Sequence, residues 1–154
     1  MHPKPHQALA QLERFVGTWD VTATFGGEPA GGVTVSFEWL EGGAYLLQRS
    51  VAEAIDAPPE VLATLPFPAV QIFGYDDTAE VYTALYADGR GVARVYQMRL
   101  TGNRWEIWRD APGFGQRFIG EFDPDGRVIT GRWELSRDNQ TWEHDFHMTY
   151  TKRG

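Results

Sequence analysis

The sequence predicts an all-β protein, a closed antiparallel barrel of about ten strands entered through one N-terminal helix. Three observations carry this. After residue 17 the apolar period changes from 3.6 to 2 and does not change back for long. The alternating segments are joined by short Gly, Asp and Asn turns such as Glu41-Gly42-Gly43, Thr101-Gly102-Asn103 and Asp123-Pro124-Asp125-Gly126. A hairpin-linked meander of this length, with no crossover helix, loses its exposed edges by closing on itself.

The helix is read from Pro5 to Val16, with Pro5 at its start, Leu9, Leu12 and Val16 on one face, and Gly17 as its stop. The strands are read at about 18–25, 33–40, 44–52, 69–76, 80–88, 92–100, 104–109, 114–123, 127–136 and 142–152. At 154 residues the chain is expected to form a single domain, residues 1–154. It can bury a core without disulfides, and it has no cysteine. The net charge of −7, without a Lys/Arg cluster, argues against a nucleic-acid groove. The longest apolar runs are a few residues, so no membrane association is expected. The opening residues lack an apolar signal-peptide core, so a cytoplasmic location is expected.

One connection departs from the rhythm. Residues 53–68 hold four of the nine prolines and room for one helical turn at Pro59–Leu65. Alternate turns of such a barrel lie at opposite ends. The connections 26–32 and 53–68 therefore share one end, and residues 53–68 are expected to form a flap over a mouth there.

Period two assigns the candidate site. With Tyr150 inward, Met148, Phe146 and His144 face inward too, His144 nearest the mouth. Arg94 shares a face with Tyr96, Met98 and Leu100, and Arg49 shares one with Tyr45, Leu47 and Val51. A cation on an apolar inner wall is costly without a partner, so each points to an anionic ligand group or a buried carboxylate. If the strand faces run the other way, both arginines are surface residues. His144 and Glu134, on adjacent strands, are a candidate acid–base pair. Most of the six Trp, six Tyr and nine Phe are expected to be packing.

Two motifs add a resemblance. Phe15-Val16-Gly17-Thr18-Trp19 resembles the F-x-G-x-W entry of the calycins, which include lipocalins, fatty-acid-binding proteins and nitrobindin-like barrels. Tyr150-Thr151-Lys152 resembles their Y-x-K/R ending. With Leu12 to Trp19 and Gly74-Tyr75-Asp76, nearly the whole chain also resembles a bacterial family of calycin-like barrels whose function is not established. The resemblance implies a barrel in which a basic residue of the last strand packs on Trp19, and it carries no chemistry. Where fatty-acid-binding proteins place an inward Arg two residues before the last-strand Tyr, this chain has Met148. The glycine-rich entry of nitrobindin-like proteins is replaced by Gly17-Thr18-Trp19-Asp20-Val21.

The function expected is binding of a small hydrophobic or amphipathic, possibly acidic, molecule inside the barrel by Arg49, Arg94, Tyr96, His144, Phe146, Met148 and Tyr150. The alternative is an enzyme of cyclase or isomerase type using the same pocket for acid–base or cation-stabilised chemistry. A third reading, haem held by His144 or His147, is what a nitrobindin-like resemblance implies. No nucleotide, zinc-protease or hydrolase motif occurs, and no cofactor or metal is expected. The expected partner is a small hydrophobic ligand, and a homodimer is open.

Overall fold

The computed structural model describes residues 3–25, 28–53, 55 and 58–154; the side chains of residues 25 and 28–30 are not described. Its strands are β1 (Gly17–Phe25), β2 (Glu28–Leu40), β3 (Tyr45–Ala52), β4 (Ala69–Asp76), β5 (Val81–Asp88), β6 (Ala93–Thr101), β7 (Arg104–Arg109), β8 (Gly115–Phe122), β9 (Val128–Ser136) and β10 (Glu143–Lys152). Each pairs antiparallel with its sequence neighbours, and β1 pairs with β10 to close the barrel. Closure satisfies the backbone groups that an open sheet would leave bare at its edges.

The N-terminal helix is a 3₁₀ helix, Gln7–Phe15, rather than one running from Pro5 to Val16. The reason lies in its apolar spacing. Leu9, Leu12 and Phe15 are three apart, and a helix with three residues per turn puts all three on one face. All three are buried. His6 caps the helix, its Nδ1 accepting from the Ala8 amide at 3.0 Å. The helix plugs the end of the barrel that carries the tight turns. There the Tyr82 hydroxyl donates to the Ala8 carbonyl at 2.5 Å and Arg14 donates to the Gly102 carbonyl at 2.7 Å. Phe15 enters the barrel and meets Phe37, Trp105 and Phe122 at ring separations of 5.1, 4.8 and 5.3 Å. Burying one such side chain is worth about 1.5–3 kcal/mol.

Trp19 is fully buried above this plug. Its indole N–H donates to the Phe15 carbonyl at 2.8 Å, and the Lys152 ammonium lies 5.3 Å from its ring centre. The basic residue expected over Trp19 is therefore Lys152. Arg153 instead pairs with Asp20 at 2.7 Å on the surface.

The connection expected at 26–32 is shorter in fact. The ladder between β1 and β2 continues to Phe25 and Glu28, because a bulge between Val21 and Ala23 takes up an extra β2 residue. Residues 26 and 27 lie outside the described residues. The 53–68 connection is the long one at the end opposite the helix. It contains α1 (Pro59–Leu62), and the Gly89 amide of the β5–β6 turn donates to the Pro68 carbonyl at 2.8 Å. Residues 54, 56 and 57 of the expected flap lie outside the described residues.

Candidate functional site

The barrel interior divides into two halves of different character. On the helix side Trp19, Phe73, Trp105, Phe118, Leu46, Met98 and Ile129 are each less than 2 % exposed. Phe118 lies over Gly120 and Gly131, which have no side chains to obstruct the ring. On the far side, Gln71, Tyr86, Arg94, Gln116, Trp133, Phe146 and Met148 occupy the inner wall and all remain half-exposed. In a barrel filled by its own side chains such positions would be dry. This half, called the bowl below, lies toward the end that carries the 53–68 connection, and its inward residues are the ones solvent partly reaches.

A polar row crosses the bowl wall. The ladders place Gln48 opposite Gln71, Gln71 opposite Tyr86, and Tyr86 opposite Arg94. Gln71 donates its amide to the Gln48 carbonyl oxygen at 3.0 Å. Gln116 on β8 accepts at one oxygen from the Tyr96 hydroxyl at 2.8 Å and from Arg94 Nη1 at 3.3 Å. The Arg94 guanidinium carbon lies 5.3 Å from the centre of the Phe114 ring. Toward the mouth, the Asp88 carboxylate accepts from Tyr86 Oη at 2.6 Å and from Arg90 Nη2 at 2.7 Å. The Arg90 guanidinium holds Asp88 well below the usual carboxylate range. Burial, reinforced by Asp88, pushes the Tyr86 phenol up, so it stays protonated as a donor.

An apolar wall faces this row. Trp133 packs against Tyr96 at 5.9 Å and Phe118 at 5.3 Å, and is the ladder partner of Phe146. Met148 lies opposite Gly131 on the same pair of strands. Of the residues expected at the site, Arg94, Tyr96, Phe146 and Met148 are thus brought together. Tyr150 faces inward but lies deeper. It is buried against Trp19 and Trp105, with its hydroxyl directed at the Met148 sulfur, and burial pushes its phenol up.

Arg49 and His144 do not face the interior. On β3 the inward set is Leu46, Gln48 and Ser50, all buried, and Arg49 is exposed on the outer face. The physical reason is that the two faces of this strand are alike in polarity: Gln48 and Ser50 follow Leu46 on the inner face, while Leu47 and Val51 flank Arg49 on the outer one. Leu47, Ile72, Leu85 and Val95 are successive ladder partners outside the barrel, and Leu85 and Val95 are exposed. His144 is displaced by a bulge between His144 and Phe146. The bulge breaks the period-two count and sets His144 on the outer face, 4.5 Å from the His147 ring.

The expected acid–base pair follows His144 outward. Glu134 is its ladder partner, and its carboxylate is taken by Arg117 at 3.0 Å. Neither histidine faces the cavity where the haem reading would need a ligand, so the residues present do not fit that group.

Two residues of the site escaped the sequence reading. Gln116 follows the turn at Gly113 and Gly115, where a lone Gln carries no signal of its own. Arg109 alternates with Trp105 and Ile107 on β7 and takes an inward register position opposite Gln116. That alternation was visible in the sequence. Two grooves lie outside the barrel, one of about 460 Å³ bordered by Tyr45, Ile72 and Leu85, and one of about 530 Å³ bordered by Ile119, Arg132 and His147. Of the expected site residues only Met148 borders either.

The fold is a closed ten-stranded antiparallel up-and-down barrel with a short N-terminal 3₁₀ helix packed into one end. The chain is similar to the crystal structure of Rv2717c from M. tuberculosis, with a TM-score of 0.60 and 16% sequence identity, over 98% of this chain and 100% of that one. At that identity the likeness shows the fold alone. No family model matches the chain, and no curated protein matches it.

Proposed function

We propose that this protein binds a small hydrophobic or amphipathic molecule in the open half of the barrel. The observation that carries the reading is the half-exposed state of inward residues, Trp133, Phe146 and Met148 among them, on a wall that is dry elsewhere. Exposed aromatic and thioether surface inside a cavity gains about 25 cal/mol for each Å² that a ligand covers. The few polar groups there are held by hydrogen bonds to one another, so they are ordered before a ligand arrives and little freedom is lost on binding.

The neutral probe N-phenyl-1-naphthylamine tests this by energy transfer from tryptophan. Saturable binding with one probe per chain is expected, weakened by Trp133→Ala and unaffected by Leu85→Ala in the outer groove. Absence of saturable binding, or dependence on Leu85 rather than Trp133, would overturn the reading.

A further inference from the structure

We infer that the bowl selects ligands bearing a carboxylate, which Arg94 and Gln116 receive while the apolar body lies against Trp133 and Met148. The inference rests on the binding reading above and adds the chemical class of the ligand.

A guanidinium has five N–H groups and no acceptor, so the Gln116 atom facing Arg94 has to be the carbonyl oxygen. That oxygen also accepts from the Tyr96 hydroxyl. Both lone pairs of that oxygen are therefore committed within the trio, and its other acceptor, the phenol oxygen, belongs to the buried Tyr96. What the trio has left to offer is the Gln116 amide NH₂ and the unused N–H groups of Arg94, a surface dominated by donors. Such a surface complements a carboxylate, which accepts only and pairs with Arg in a two-pronged geometry. A neutral amide head fits it less well, and an ammonium is repelled.

Other charges on the wall support the same sign. Among the described residues no carboxylate lies within ion-pair distance of Arg94 or Arg109. Asp88, two residues after the Arg94 ladder partner Tyr86, has a fully buried carboxylate already held by Arg90 and Tyr86. The Phe114 ring beside the Arg94 guanidinium limits its freedom to swing away. The chain as a whole carries −7, so long-range attraction does not draw acids to it. Selection has to arise at the wall itself.

Three naphthalenes of matched shape provide the test: 2-naphthoate, the neutral 2-naphthamide and the cationic 2-(aminomethyl)naphthalene, each titrated against the folded protein. The acid is expected to bind at least about tenfold tighter than the amide, as a charge-assisted hydrogen bond requires, and the amine weakest. Arg94→Met should remove the preference for the acid and leave the amide affinity in place, and Arg94→Lys should keep part of it. Near-UV circular dichroism verifies folding, and Gln116→Leu, which should reduce the same preference, serves if Arg94→Met does not fold. Equal binding of acid and amide, or a preference that survives Arg94→Met, overturns the inference while leaving the binding reading intact. If none of the three binds, the binding reading falls and takes this one with it.

Discussion

The Lys152 ammonium sits 5.3 Å from the centre of the Trp19 ring, and the two residues are ladder partners on the strands that close the barrel. One contact thus joins the first strand to the last, above a plug whose Phe15 carbonyl takes the indole N–H.

Trp19→Ala should destabilise the protein by roughly 3–5 kcal/mol, the scale of a large-to-small change in a closed core. Lys152→Met, which keeps the aliphatic stem, should cost only about 0.5–1 kcal/mol. Urea unfolding measures both. A Trp19→Ala loss no larger than that of Lys152→Met would mean that the plug, not the indole, holds this end.

Gly131→Ala should be destabilising by roughly 1–3 kcal/mol, because its Cβ would enter the space of the Phe118 ring. Adding Phe118→Leu should recover part of that loss by vacating the space. Thermal unfolding of the single and double variants decides it, and simple additivity would contradict the packing described.

The acid limb of stability should carry the signature of Asp88 and Asp138. Arg90 holds Asp88 below its ordinary value of 3.8, and the Thr141 and Gln140 amides hold Asp138 at about 2. A carboxylate depressed in the folded state contributes stability that is present above 3.8 and is lost as pH falls through the folded value. Stability should therefore decline below pH 3.8, and Asp88→Asn should flatten that decline relative to the wild type. Urea midpoints at pH 4.5, 3.5 and 2.5 check it; an unchanged slope contradicts the assignment.

The Pro68 carbonyl is tied to the β5–β6 turn by the Gly89 amide, with the Phe67 carbonyl 2.8 Å from where a Gly89 Cβ would stand. Gly89→Ala should loosen the 53–68 connection at a cost of about 1 kcal/mol, one hydrogen bond. Limited proteolysis should then cut within 53–68 faster, with the β-turns at the helix end unaffected. Unchanged cleavage would show that the tether does not hold this segment.

The strand order was legible because nearly every strand alternates cleanly and every turn carries its own chemistry, as at Asp123–Gly126 and Gly102–Asn103. The end that bears the 53–68 connection followed from counting turns alone. Facing was legible on β6, where Tyr96, Met98 and Leu100 alternate with Gln97, Arg99 and Thr101. It was not legible on β3, because Leu47 and Val51 make the outer face as apolar as the inner one. Nor was it legible at His144, where one extra residue in a bulge turns the side chain around, and nothing in the local composition marks the bulge. The Gln116 contact reaches across the barrel between β6 and β8, which are not ladder neighbours, and period and spacing do not encode such a contact.

Ligand entry into the bowl is read from the six tryptophan indole N–H signals in a ¹⁵N–¹H correlation spectrum, recorded while 2-naphthoate is added. Trp133 lines the bowl, Trp19 and Trp105 lie in the dry half, and Trp108 sits on the outer face beside Arg99. Binding in the bowl requires a saturating shift of the Trp133 signal, with those of Trp19, Trp105 and Trp108 nearly still. A shift at Trp108 with Trp133 unmoved, or no saturating shift at all, would contradict it.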